Sequence, residues 1–471
     1  MTSGSLFPRV GPLRMRSMRP SLAVLCVVAA CTRGPRTLHP GGGDHFDLIS
    51  PGPAGPPPPD LSGGGTTDER FARFETWWSG RLDAHGATGG VVVLAPDGSV
   101  HLGIHGPRGA TVTSDTRFGI ASSSKVVLAM TVMSLVEEHR LALDAPISTY
   151  LPELVSPATD VGDVSLAQLL SHTSGIPPEG QESGIACAVG DDLGAHVRAL
   201  RGRALEFPPG AVYHYANLGY VVVGAVIERV TGMPFEQVVR ARILGPAGMT
   251  TAGYGAAPGD ATGLPSGVGP APPCRAIYPA GGLWVSTREM GALLRALLPG
   301  AGVISDASLA ELQRPRTPTG AGLEDAYGLG LGMTRYRSAS LFTHMGGMPG
   351  FSSAWVTLPD HGFAAAVLVN TQSTPVTLAL RAADALVDFT EPATTPAPRP
   401  KTEWPRYVGR YRTDTGPLGT FDIVLDDGSL GVEWVGPEPA IGLPASMTMF
   451  FVGEANAQYV ETPIGVARRV P

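Results

Sequence analysis

Lysine is almost missing from this chain. Of its 34 basic residues only two, Lys125 and Lys401, are lysine, and the rest are arginine. Arginine stays protonated inside proteins, whereas lysine can lose its proton when buried or crowded by other charges. A chain that writes arginine for plain positive charge marks Lys125 for acid–base work, while Lys401, beside a Pro-rich stretch, reads as a surface residue. Cysteine is scarce as well, with four residues at 26, 31, 187 and 274. No G-x-S-x-G elbow and no H-E-x-x-H occurs, which disfavours an α/β-hydrolase or a zinc peptidase. The formal charge of −7 offers no basic surplus for a phosphate backbone, so nucleic acid is not an expected partner.

What is present begins with a leader. Residues 1–20 hold Arg9, Arg14, Arg16 and Arg19 and no acid, and an apolar run follows from about Ser21 to Ala30. Roughly ten apolar residues are too few to span a bilayer but suit the core of a secretory signal. The "VAAC" ending at Cys31 resembles the lipobox of bacterial lipoproteins, whose cysteine becomes the lipidated first residue. That implies export to the cell envelope and a membrane anchor through the lipid on Cys31. A plain signal peptide cut nearby is the alternative, and Met15 or Met18 are alternative starts.

Thr32–Thr66 is rich in Pro and Gly and reads as a flexible tether. A relaxed chain of that length reaches on the order of 30 Å. A second such stretch, "EPATTPAPRP", marks another boundary. The expected organisation is a signal peptide and lipobox at 1–31, a tether at 32–66, a main domain at 67–390, a linker at 391–402 and a small all-β domain at 403–471.

Within the main domain, helical periodicity is read at 69–85, after Lys125, and at 165–171, 217–231, 235–245, 286–298 and 374–389. "GGVVVLAPDGSVHLGIHG" reads as a β-hairpin turned at Pro-Asp-Gly, and 325–370 as short strands divided by Gly, Pro and Asp. Strands at both ends with helices between predict an α+β fold. One antiparallel sheet would unite the hairpin with the late strands, flanked by helices, with an all-helical subdomain inserted beside it.

Ser122 and Lys125 are three apart at the head of a helix and share one face. A helix N-terminus favours a developing alkoxide, and an amine within reach of a hydroxyl is what an activated nucleophile requires. Ser123 and Ser124 lie off that face and read as capping or packing residues. "YHYAN" then places Tyr215 and Asn217 just before a helix, and "THMGG" places His344, Met345 and Gly346 at the end of a strand.

In this order, S-x-x-K, Y-x-N and H-x-G resemble the serine β-lactamase and penicillin-binding superfamily. The similarity is to its class C-like branch, with β-lactamases, D,D-carboxypeptidases, D-aminopeptidases and esterases. "LLSHTSGIP", "ILGPAGM" and "YPAGGLWVSTREM" also resemble recurring segments of that branch, and the likeness covers about residues 68–390. It implies the β-lactamase/transpeptidase-like version of the α+β fold and a serine hydrolase working through an acyl-enzyme on esters, D-amino-acid peptides or β-lactam-like substrates. No cofactor is implied.

Carried over, the resemblance makes Ser122 the nucleophile and Lys125 its partner, with Tyr215 as a second possible base. Asn217 would bind the substrate's acyl amide, His344 would line the strand edge and support the charge network, and the backbone N–H groups of Ser122 and Gly347 would form the oxyanion hole. Export permits a disulfide between Cys187 and Cys274, two free thiols being the alternative. The block at 403–471 resembles a small lipocalin-like β module. One departure stands out. Relatives that recognise penicillins place a hydroxyl residue where this chain has Met345, so the expected substrates shift towards esters, or amides without a carboxylate to hold.

Other residues read more plainly. His172 is expected to be a structural loop residue, and Tyr213 and His214 packing or rim groups. His101 and His105, about 13 Å apart on a strand, are a poor metal pair. The rival function is a non-catalytic binding or scaffolding lipoprotein that kept the fold.

Overall fold

The structure is a computed structural model. It describes residues 36–40, 45–47, 61, 63–107, 111–156, 161–177, 190–264, 274–319, 325–337, 339–371, 373, 375–390, 401–413, 419–426, 429–435, 448–452, 456–462 and 465–470. Cys31 and the leader, Cys187, most of the 32–66 stretch and the linker at 391–400 lie outside the described residues.

Eight strands form the central antiparallel sheet, in the order Val100–His105, Gly89–Leu94, Phe363–Val369, Phe351–Leu358, Ala339–Met348, Gly332–Tyr336, Ala326–Tyr327 and Thr317–Pro318. The early hairpin joins the late strands as expected, with Gly89–Leu94 paired to Phe363–Val369 in the register Val91↔Val367. Along "GGVVVL" side chains alternate between faces. Val91 and Val93 meet Phe74, Trp78, Ala379 and Ala383 on one side, while Val92 and Leu94 join the larger helical core on the other. Both faces are covered, so the run is apolar throughout rather than alternating.

Local signals set several helix ends. Thr66 and Glu69 form a capping box for Thr67–Asp83, and Ser165 and Gln168 another for Leu166–Leu170. Ser286 caps Thr287–Ala296, and Gly232, at φ 71°, closes Asn217–Thr231 in the left-handed region where a Cβ would be strained. The stretch read as one helix over 235–245 is α-helical at Phe235–Val239 and π-helical at Arg240–Leu244. A helix at Leu193–Leu200, capped by Asp192, escaped the sequence reading.

The C-terminal block is a small curled antiparallel sheet of six strands, from Gly409–Arg412 to Gly465–Val470. Trp404, Tyr407, Tyr411, Phe421, Phe451 and their aliphatic neighbours fill its interior. Its two edges, Ser429–Trp434 and Thr448–Val452, pair with Arg36–Pro40 and His45–Asp47, which also pair with each other. These eight residues belong to the stretch read as tether, so that reading does not hold for them. The reason is physical: strand pairing here uses backbone N–H and C=O groups, and "RTLHP" carries no apolar alternation to announce it. The outside of the curled sheet packs Val466, Val452 and Tyr459 against Phe207, Ala211 and Val212 of the main domain.

Open sheet edges expose unpaired backbone groups. Deleting residues 36–47 should therefore accelerate amide exchange in 429–434 and 448–452 while leaving 351–369 protected. Unchanged exchange at both edges would show that the N-terminal strands do not cover them.

Candidate active site

The chain enters the site through a strained turn. Ala121–Ser124 form a 3₁₀ turn leading into the helix Lys125–Glu137, and Ala121 sits at φ 45°. The serines do not cap the helix, since no side chain accepts from its first N–H groups. Ser124 instead donates to the Ala121 carbonyl at 2.6 Å, and Ser123 donates to the His344 carbonyl at 3.3 Å. Ser353 donates to the Ile120 carbonyl at 2.6 Å and lies 2.8 Å from Ser123 Oγ, while the Trp355 indole donates to the Ser123 carbonyl. The turn is thereby fastened to strands 339–348 and 351–358. The approach is close enough that a Cβ on Gly346 would stand 2.0 Å from the Ile120 carbonyl oxygen, so only glycine fits there.

Lys125 is wholly buried, and its Nζ has three oxygen neighbours. They are Ser122 Oγ at 3.0 Å, Asn217 Oδ1 at 2.7 Å and the Ala280 carbonyl at 2.7 Å. Nζ also lies 4.8 Å from the Tyr215 ring centre and 5.0 Å from that of Tyr220. Burial holds the amine well below the usual lysine range. A neutral amine has two N–H groups and one lone pair. With Asn217 Oδ1 and the Ala280 carbonyl able only to accept, the lone pair is left for the Ser122 hydroxyl.

Tyr215 is half-buried beside this amine, its ring 4.2 Å from that of His172 and 6.5 Å from that of His344. Of the expected site residues, the structure thus gathers Ser122, Lys125, Tyr215 and Asn217 around one nitrogen. His344 behaves differently. Its ring is buried, with Nδ1 2.6 Å from the Met345 carbonyl and Nε2 2.8 Å from the Tyr327 hydroxyl. A carbonyl only accepts, so Nδ1 carries the proton and Nε2 accepts from Tyr327. Burial first, and the neighbouring Lys125 amine second, push its pKa down to about 3. His344 therefore faces the interior as a neutral group and does not line the strand edge as expected.

Past Thr343, strand 339–348 runs beyond its partner Gly332–Tyr336 and leaves that edge unpaired among the described strands. Met345, 39% exposed, lies on this overhang. A Cβ at Gly347 would meet no atom within 4 Å, so there is open space beside its backbone. Away from the site, His101 bonds Ser99 and stacks on Phe71, and His105 pairs with Asp83. Cys274 is buried and disulfide-bonded, its partner lying outside the described residues.

Three residues that touch Lys125 or His344 were not legible as such in the sequence. Ala280 acts through its carbonyl, which any residue supplies. Tyr220, three after Asn217 and thus on the same helix face, sits inside an apolar run that reads as core. Tyr327 reads as an ordinary strand aromatic.

Residues 74–388 match the family described as Beta-lactamase. The chain is 31% identical over 246 residues to a putative penicillin-binding protein, PbpX, of Bacillus subtilis, covering 50% of this chain and 58% of that one. It is 36% identical over 159 residues to esterase EstB of Burkholderia gladioli, covering 31% and 40%. The matches span about half the length of such relatives. Among solved structures, SurE with D-Leu superposes with a TM-score of 0.67 at 22% identity, covering 86% of this chain and 99% of that one. A D-amino acid amidase from Ochrobactrum anthropi superposes at 0.58 and 23% identity, covering 68% and 97%. At these identities the structural likeness is one of fold.

The buried histidines make stability depend on pH. An unfolded imidazole titrates near 6.5, whereas folded His344 stays neutral to about 3, so between these values the unfolded chain binds more protons. Stability should fall as pH drops through that window, with His214, held near 4 by burial, contributing in the same direction. In pH-dependent thermal melts, His344→Gln should flatten part of the loss. A slope equal to wild type would place the proton uptake elsewhere.

Proposed function

This chain belongs to the Beta-lactamase family, and from that premise we propose that it is a serine hydrolase that cleaves esters, or amides without a carboxylate, through an acyl-enzyme on Ser122. The observation that carries the reading is the buried Lys125 amine, whose two hydrogen-bond acceptors leave its lone pair for the Ser122 hydroxyl. Lys125 takes the serine proton as Oγ attacks the substrate carbonyl, and the carbonyl electrons move to oxygen. The backbone N–H groups of Ser122 and Gly347 receive that oxyanion. As the intermediate collapses, the proton passes from Lys125, by way of the Tyr215 phenol, to the leaving oxygen or nitrogen. Water then attacks the acyl-enzyme, and its proton returns to Ser122 Oγ.

Substrate class follows from charge. His344 is neutral and Met345 apolar, so the third motif offers no cation and no hydroxyl to a carboxylate. Asn217, held by Lys125, turns its amide towards the acyl side chain. Esters and D-amino-acid amides fit this site better than acids such as cephalosporins, and an esterase and a D-amino acid amidase are among the similar proteins. Export, a lipid anchor on Cys31 and a Cys187–Cys274 disulfide belong to the same proposal. So does a lipocalin-like C-terminal module that packs rather than carries a ligand, since aromatic rings fill it.

A fluorophosphonate probe should label wild type at Ser122 and fail on Ser122→Ala. Lys125→Arg should lose nearly as much turnover as Lys125→Ala, because arginine keeps the charge and cannot offer a lone pair. Wild-type turnover in the arginine form would show that Lys125 supplies charge alone.

Met345→Thr should raise kcat/KM on a cephalosporin relative to a neutral ester. One hydrogen bond to a charged group limits the gain to about ten- to a hundredfold. A constant ratio with ester turnover intact would remove Met345 as the determinant.

A further inference from the structure

His172 does more than shape its loop. It is 1% exposed and holds φ 58°, a conformation uncommon for a residue with a side chain. Two backbone bonds enforce it. The His172 carbonyl accepts from the His214 N–H at 2.7 Å, and its own N–H donates to the Leu169 carbonyl at 3.3 Å. So held, the ring meets Tyr215 at 4.2 Å, Tyr220 and Tyr327 at 5.1 Å and Tyr213 at 5.8 Å. Its Nδ1 accepts from the Ala216 N–H at 3.0 Å.

That last bond falls between the two residues of the second motif. Ala216 precedes the helix Asn217–Thr231, is extended at φ −134° and ψ 106°, and has no side chain with which to cap it. Fixing its N–H fixes the peptide plane that joins Tyr215 to Ala216. The direction in which Tyr215 leaves the loop, and the entry of Asn217 into the helix, follow from that plane. Because Nδ1 is the acceptor, the ring must be neutral with its proton on Nε2. Burial keeps it so by holding its pKa well below the ordinary histidine value.

We propose that His172 is the positioning residue of the second motif: Nδ1 pins the Ala216 N–H and the ring backs Tyr215, so that phenol and Asn217 amide reach Lys125 together. This rests on the serine hydrolase reading, in which those groups act on the reaction. The Nδ1 acceptor is the decisive part, and the ring contact is secondary.

The test compares three variants of the full chain on an activated ester, with Ser122→Ala as control. His172→Asn keeps an acceptor near the Nδ1 position and tolerates positive φ. His172→Gly also tolerates that backbone and has no acceptor. His172→Phe keeps a ring without an acceptor. Expected is an asparagine form within about threefold of wild-type kcat, and glycine and phenylalanine forms reduced about ten- to a hundredfold in kcat with KM little changed. Amide exchange at Ala216, which needs no substrate, should be slow in wild type and asparagine and fast in the other two. Wild-type kcat in a folded glycine or phenylalanine form would overturn the proposal. So would an asparagine form that loses tenfold or more, and this alone decides if the other two do not fold. If wild type and Ser122→Ala are equally inactive on esters and amides, the hydrolase reading fails instead. Fast Ala216 exchange in wild type would then also remove the positioning role.

Discussion

One amine organises this protein. Lys125 Nζ is wholly buried, yet it touches a hydroxyl, a side-chain amide and a main-chain carbonyl from three separate stretches of chain. Burying a charged ammonium without an anion is costly, and none of its three hydrogen-bond partners is a carboxylate. Burial therefore lowers the amine's pKa and favours its neutral form, and neutral partners satisfy it. Ser122, Asn217 and Ala280 must converge to do this, which ties the strained turn, the 217–231 helix and the 278–281 segment to one point. An amine left without those acceptors would be a buried, unsatisfied polar group.

The same economy runs through the surroundings. His172, His214 and His344 are all buried and all pushed towards the neutral state, and a charge on one would oppose charge on the others. Tyr220 donates to the Leu170 carbonyl and Tyr327 to His344, so both hydroxyls are satisfied by neutral acceptors. Such a low-charge interior is suited to moving one proton between closely matched groups. It is poorly suited to holding an anionic substrate. In the proposed mechanism, substrate preference and proton transfer would be two consequences of one electrostatic choice.

Mechanical support comes from the sheet. Ser353, Ser123 and the Trp355 indole fasten the turn that carries Ser122 to two central strands, and Gly346 lets the backbone approach. On the far side, the loop carrying Phe207 and Val212 lies between the 172–175 loop and the small curled sheet. The small sheet is assembled from both ends of the described chain. Its packing thus connects residues 36–47 to the loop that precedes Tyr215.

Much of this was legible in the sequence, and for a definite reason. Caps, helical periods and turn residues act over a few positions, so "TTDE", "SLAQ" and "TG" mark helix ends as they stand. One of only two lysines in an arginine-using chain, three residues after a serine, already drew attention to Lys125. What only the tertiary structure decided depends on distant partners. No local pattern told that His344 turns inward to Tyr327, or that the Ala280 carbonyl completes the lysine's shell. Nor did one tell that His172 reaches the Ala216 N–H across 44 positions, or that "RTLHP" pairs with a strand near residue 430. Burial and lone-pair occupancy are properties of packing between remote segments, and backbone pairing carries no side-chain signature.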